Sequence, residues 1–168
     1  STAFLLADFG FSDPNDALAN QFANVKITSL PAAGSLKLSG VPVALNQFIP
    51  AASVGAGALT FTPAADASGA AYASFGFRVQ DDGGTANGGV DLDTSARTMT
   101  VNVTAINDAP SGANKTVAAR EDVPFVFAIA DFGFTDTSDS PANALAGVTI
   151  TVLPAAGSLK LDGTPVLV

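Results

Sequence analysis

The sequence predicts an all-β protein, a Greek-key β-sandwich arranged in tandem copies, and three observations lead there. Short runs alternate apolar and polar residues with period two, as Leu59 and Phe61 do against Thr60 and Thr62, and they are rich in Phe, Val and Thr. Turn residues punctuate the runs at 31–34, at Ser39-Gly40 and at Asn87-Gly88. Residues 4–43 align without a gap on residues 127–166, 123 positions later, and 26 of those 40 pairs are identical. A period of that length suits a domain with its own core and is too long for a solenoid repeat.

Taken in order, residues 2–8 read as a short apolar strand. Residues 9–16 read as a loop, because Pro14 cannot join a ladder and Asp8, Asp13 and Asp16 crowd together. One helical turn is predicted over 17–22. Residues 25–28 alternate like a half-buried strand and are expected to turn through 31–34 into 35–38 as a hairpin. The Ser39-Gly40 turn, Asp162-Gly163 in the second copy, leads to 41–43. Leu59 and Phe61, then Phe75, Phe77 and Val79, then Met99, Val101 and Val103 mark three further strands with one apolar face each. Between the last two lies the glycine-rich loop 81–93. It reads either as a flexible hairpin end or as a set of ligands, Asp81, Asp82, Asp91 and Asp93, and the two readings are compatible.

The joint between the copies spans residues 105–122. Asn107, Asp108, Glu121 and Asp122 bring oxygen-bearing side chains together there, with only Lys115 and Arg120 near them in sequence. Crowded carboxylates repel unless a cation or protons intervene, and calcium accepts six to eight oxygens. The alternative is a solvated acidic linker. Beyond the joint, 116–119 and 124–131 read as strands, and the second acidic loop adds Asp131, Asp136 and Asp139 as candidate ligands. The expected division is 1–108, a repeat lacking its first strand; 109–123, linker and first strand of the next; and 124–168, the first half of a second repeat. Such a half would expose its inner face. Either 111–123 folds back as the missing strand of the first repeat and leaves 124–168 as a surplus copy, or that copy, or the strand before it, completes a neighbouring molecule by strand donation.

Composition excludes several function classes. The net charge is -8, from 15 acids and 7 bases, which does not suit a nucleic-acid phosphate backbone. Fourteen of the acids are Asp, the carboxylate favoured in turns and compact metal loops. The chain has no Cys and no His, so neither a Ser-His-Asp nor a Cys-His arrangement can be assembled. Trp is absent and Tyr72 is the only tyrosine, which leaves no aromatic platform for sugars. Residues 81–93 do not follow EF-hand spacing, and no glycine-lysine phosphate loop occurs. No apolar run of about 18 residues is present to cross a bilayer.

Asn107-Asp-Ala-Pro110 followed by Glu121-Asp-Val-Pro124 resembles the linker and domain opening of the cadherin-like tandem repeats of very large bacterial surface and secreted proteins. Asp8-Phe-Gly-Phe, Leu30-Pro-Ala-Ala-Gly-Ser-Leu and Gln80-Asp-Asp-Gly-Gly are similar to segments of the same repeats. The resemblance implies an Ig-like, cadherin-like sandwich, an extracellular or cell-surface location, calcium at domain junctions and a non-catalytic role as stalk or spacer in adhesion. The expected partners are neighbouring repeats or copies of itself; head-to-tail association into a filament, suggested by the incomplete repeats, is the alternative. Ala105 stands where the animal cadherin linker has its first Asp, and no Asn follows Asp108. One or two ions are therefore expected rather than three.

Overall fold

Alternation decides most of the first half of the molecule, because a strand with one apolar face can hide it only against another such face. In the computed structural model, which describes residues 1–168 except Ala17, the chain divides into two compact units, Ser1–Ile106 and Asn107–Val168. It is mostly β-sheet with little helix.

Unit one holds two four-stranded antiparallel sheets. The first has the order β1 (Thr2–Ala3), β6 (Leu59–Thr62), β3 (Ser35–Leu38), β4 (Val41–Pro42). The second has the order β5 (Phe48–Pro50), β2 (Phe22–Ser29), β7 (Gly69–Asp81), β8 (Arg97–Val103). One apolar cluster draws on both: Leu36, Leu59 and Phe61 from the first sheet, and Val25, Ile27, Ile49, Phe75 and Phe77 from the second. Edge-to-face ring contacts join them further, Phe4 to Phe75 at 5.3 Å and Phe9 to Phe77 at 5.0 Å between centroids. The apolar positions read from period two are therefore the core, with Leu59 and Phe61 buried and Met99, Val101 and Val103 packed at its margin.

Four local expectations need correction. Residues 2–8 are not one strand: β1 ends at Ala3, and Leu6–Phe9 form a 3₁₀ turn whose entry is held by Asp8 Oδ2, which accepts from Leu5 N at 2.8 Å. Of the predicted turn at 17–22, Ala17 lies outside the described residues, 18–21 are not helical, and Phe22 opens β2. β2 and β3 do not form a hairpin, because the chain changes sheets between them. At that change Gly34 sits at φ +71° against the ring of Phe61, with Thr62 O 2.8 Å from where a Cβ would stand, so the passage is made by close backbone approach and not by a cross-strand turn. Lastly, a five-residue helix α1 (Ala51–Gly55) stands where no helix is predicted; Ala51 and Val54 are its buried residues, so packing fixes it rather than propensity.

Two turns follow the sequence closely. Ser39 and Gly40, at φ +50° and +82°, close β3 onto β4. Asn87 and Gly88, at +55° and +86°, turn the 81–93 loop back on itself.

Unit two contains a 3₁₀ turn Ile129–Phe132 and one hairpin, β9 (Lys160–Leu161) with β10 (Thr164–Pro165). Residues 116–119 and 124–131 do not form the expected strands. In unit one the counterpart of 124–131 is residues 1–8, of which Thr2–Ala3 form a strand by pairing with β6. Strands without a ladder are marginal in water.

Candidate functional site

The acidic loop occurs twice, and both copies fold around one asparagine. In unit one Asn20 N donates to Asp13 Oδ2 at 2.8 Å and Asn20 Nδ2 to Asp16 Oδ2 at 2.7 Å. In unit two Asn143 N donates to Asp136 Oδ2 at 2.8 Å and Asn143 Nδ2 to Asp139 Oδ2 at 3.0 Å. Short Asp side chains take backbone N–H groups that no ladder can satisfy, which is why the loop closes locally. The pair Asn20 and Asn143 escapes a search for acids; its signal is identity across the 123-residue offset.

In unit one the 81–93 hairpin supplies the opposite wall of a cleft of ≈ 710 Å³ that also exposes Asp8 and Asp13. Asp81 N donates to Asp91 O, and Asp93 N to Val79 O, both at 2.9 Å, which carries Asp81, Asp91 and Asp93 to the cleft. Each has a donor of its own. Asp81 Oδ1 accepts from Gly83 N at 2.8 Å, and Asp91 Oδ2 from Gln80 Nε2 at 3.0 Å. Asp93 accepts from Ser95 N at 2.9 Å and pairs with Arg97 Nε at 2.9 Å. The Ser95 N–H, then the Arg97 guanidinium, hold the Asp93 carboxyl below the usual carboxylate range against the opposing effect of burial. Asp82 points elsewhere: its Oδ1 accepts from Gln21 N at 2.7 Å and ties the hairpin to the end of the acidic loop.

No protein-family model, curated protein or solved structure matches the chain.

Unit two brings four of the predicted residues together. Asn107 Oδ1 accepts from Asn143 Nδ2 at 2.7 Å, and Asp108 N donates to both oxygens of Asp139, at 3.2 and 3.3 Å. Asp136 is only 6 % exposed, and its Oδ1 is buried with no hydrogen-bond partner among the described residues. Asp131 stands apart, with Lys115 Nζ at 2.6 Å and Ala128 N at 2.9 Å; Lys115 first, and the Ala128 N–H second, hold its carboxyl below the usual range. Glu121 and Asp122 do not join Asn107 and Asp108. They are exposed, and Asp122, at φ +60°, lies in a turn closed by Val123 N to Arg120 O at 3.4 Å.

The metal ligands that Asp136, Asp139, Asn107 and Asp108 could offer are side-chain oxygens, which suit a hard divalent cation, and Asp136 Oδ1 is buried without a partner among the described residues. As the side chains stand, no group of three or more carboxylates among the described residues is drawn close enough to hold a metal ion. The Asn143 amide and the Asp108 N–H take up the oxygens between them.

Proposed function

We propose that the chain is a structural module of the cadherin-like, Ig-like tandem-repeat type, in which the two sheets of unit one form a Greek-key β-sandwich and calcium stiffens the acidic joint of an extracellular adhesion stalk. The observation that carries this reading is the buried, unpartnered Oδ1 of Asp136 beside Asp139, Asn107 and Asp108. Asp136, Asp139, Asn107 and Asp108 are the residues that would hold the ion, which would supply the positive charge their oxygens lack. Without His or Cys the chain offers no usual nucleophile-base pair, which supports a non-catalytic role.

Calcium titration tests the reading. Extracellular modules bind calcium at about 10⁻⁴ to 10⁻³ M, so about 10 mM calcium stabilises by roughly 1.4 to 2.7 kcal/mol relative to EDTA. Asp136→Asn should remove that difference. Equal melting of the unaltered protein in EDTA and in calcium refutes the proposal.

A second reading is a filament subunit in which copies exchange segments. It is supported by the exposure of large apolar side chains in unit two, among them Val126 at 84 %, Val152 at 80 % and Ile129 at 71 %. Light scattering tests it: a clean monomer at all concentrations refutes exchange between whole molecules.

A further inference from the structure

The two acidic loops share their internal hydrogen bonds and differ in what lies on them. In unit two, residues 107–115 run along the loop. Asn107 and Asp108 meet Asn143 and Asp139, and Ser111 exchanges both backbone hydrogen bonds with Thr135 at 2.8 Å each. The two hydroxyls also meet at 2.7 Å. Ala113 N then donates to Phe132 O at 3.3 Å, and Lys115 Nζ reaches Asp131 Oδ1. This is a short antiparallel segment with a polar contact at each end.

Every receiving group has its equivalent 123 residues earlier: Asn20, Asp16, Ser12, Phe9 and Asp8. Among the described residues of unit one, nothing pairs with the backbone of Ser12 or with Phe9 O. Ser12, Phe9 and Asp8 line the cleft. Asp8 Oδ2 is engaged by Leu5 N just as Asp131 Oδ2 is by Ala128 N, while Asp131 Oδ1 alone has a lysine. Burial changes in step. Asp136 is buried where Asp13 is half-buried, and Asp131 and Asp139 are half-buried where Asp8 and Asp16 are exposed. A Cβ on Gly133 would stand 2.7 Å from Ala113 Cβ; one on Gly10, at nearly the same φ, would meet nothing within 4 Å.

We propose that the acidic loop of unit one, whose Asp8, Phe9 and Ser12 line the cleft, is a receptor for an extended peptide segment of the chemistry of residues 107–115: an Asn-Asp pair, a serine three residues after the Asp, and a lysine four residues beyond that. Asn20 and Asp16 read the Asn-Asp pair, the Ser12 backbone pairs with the serine as one rung of a ladder, and Asp8 takes the lysine. Specificity resides in the two ends, because the ladder rung reads no side chain. The negative cleft favours the lysine and adds to the rate at which such a segment arrives. The proposal rests on the segment-exchange reading and deepens it by naming the segment and its seat.

The test is a titration of the 168-residue protein with the capped peptide Asn-Asp-Ala-Pro-Ser-Gly-Ala-Asn-Lys, in EDTA and again in millimolar calcium. Binding of one peptide per chain in either buffer is expected. Asp8→Asn, which keeps an oxygen for Leu5 N–H, and Asn20→Ala should each weaken it about tenfold or more. Asp131→Asn and Asn143→Ala should leave it unchanged, as should a circular-dichroism melt of Asp8→Asn. Absence of binding in both buffers overturns the proposal, and so does binding that survives Asp8→Asn and Asn20→Ala but is lost with Asn143→Ala. Light scattering on the chain alone probes exchange between whole molecules, so that reading and this receptor can fail separately.

Discussion

Replacing Gly34 by alanine should cost far more than the same replacement at Gly40, although both glycines have strongly positive φ, +71° and +82°. Forcing an L side chain into that region costs about 1–2 kcal/mol at either position. At Gly40 a Cβ would meet nothing within 4 Å, so that term stands alone. At Gly34 the new methyl would collide with the Phe61 ring and stand 2.8 Å from Thr62 O. Phe61 is 1 % exposed and Thr62 O belongs to β6, so neither can move without disturbing the core. Overpacking of that kind adds about 1–3 kcal/mol. The loss of unfolded-chain entropy on Gly→Ala is common to both variants and cancels in their difference. Gly34→Ala should therefore be less stable than Gly40→Ala by about 1–3 kcal/mol, which is roughly 4–20 °C in Tm for a unit of this size. Urea unfolding with intrinsic fluorescence of Tyr72, beside Phe61 at 6.3 Å between centroids, reads the unit directly. Equal midpoints for the two variants would refute the argument that the chain changes sheets under steric contact at Gly34.

Three further outcomes follow from the same structure. Leu59→Ala, at a fully buried position on β6, should destabilise unit one by about 2–5 kcal/mol in the same urea assay. Because the folded-state pKa of Asp131 lies below its ordinary value of 3.8, its contribution is present above that value and is lost as pH falls through the lower folded pKa. Lys115→Ala should move the Asp131 titration upward in a carboxyl-carbon NMR titration; an unmoved midpoint would mean that Lys115 does not set it. Arg97→Ala should raise the Asp93 titration by a smaller step, because the Ser95 N–H, the larger cause of its depression, remains.

Much of unit one is legible in the sequence because alternation and turn chemistry are local signals. Leu59, Phe61, Phe75 and Phe77 announce their burial by period two, and Ser39-Gly40 and Asn87-Gly88 announce their turns. The pairing of β2 with β5 and β7 rather than with β3 is not legible, since it depends on which distant faces meet, and nearness in sequence misleads. The helix α1 is hidden for a like reason: Ala51 and Val54 are held by what they pack on. At the candidate site, Asn107, Asp108, Asp136 and Asp139 could be picked out by residue type, whereas their gathering around Asn143 depends on loop closure. Glu121 and Asp122 are close to Asn107 and Asp108 in sequence but are not brought to them, because the intervening residues run along the loop instead of doubling back.

The hairpin of β9 and β10 repeats that of β3 and β4 in register and in angle, with Asp162 and Gly163 at φ +48° and +80°, although among the described residues no third strand flanks it. Its geometry is thus carried by a few neighbouring residues and does not wait for long-range contacts. Hairpins close in about 1–10 μs, well before distant strands can find each other. During synthesis such a corner would be ready as soon as it emerged, offering β3 as a preformed edge onto which β6 is laid.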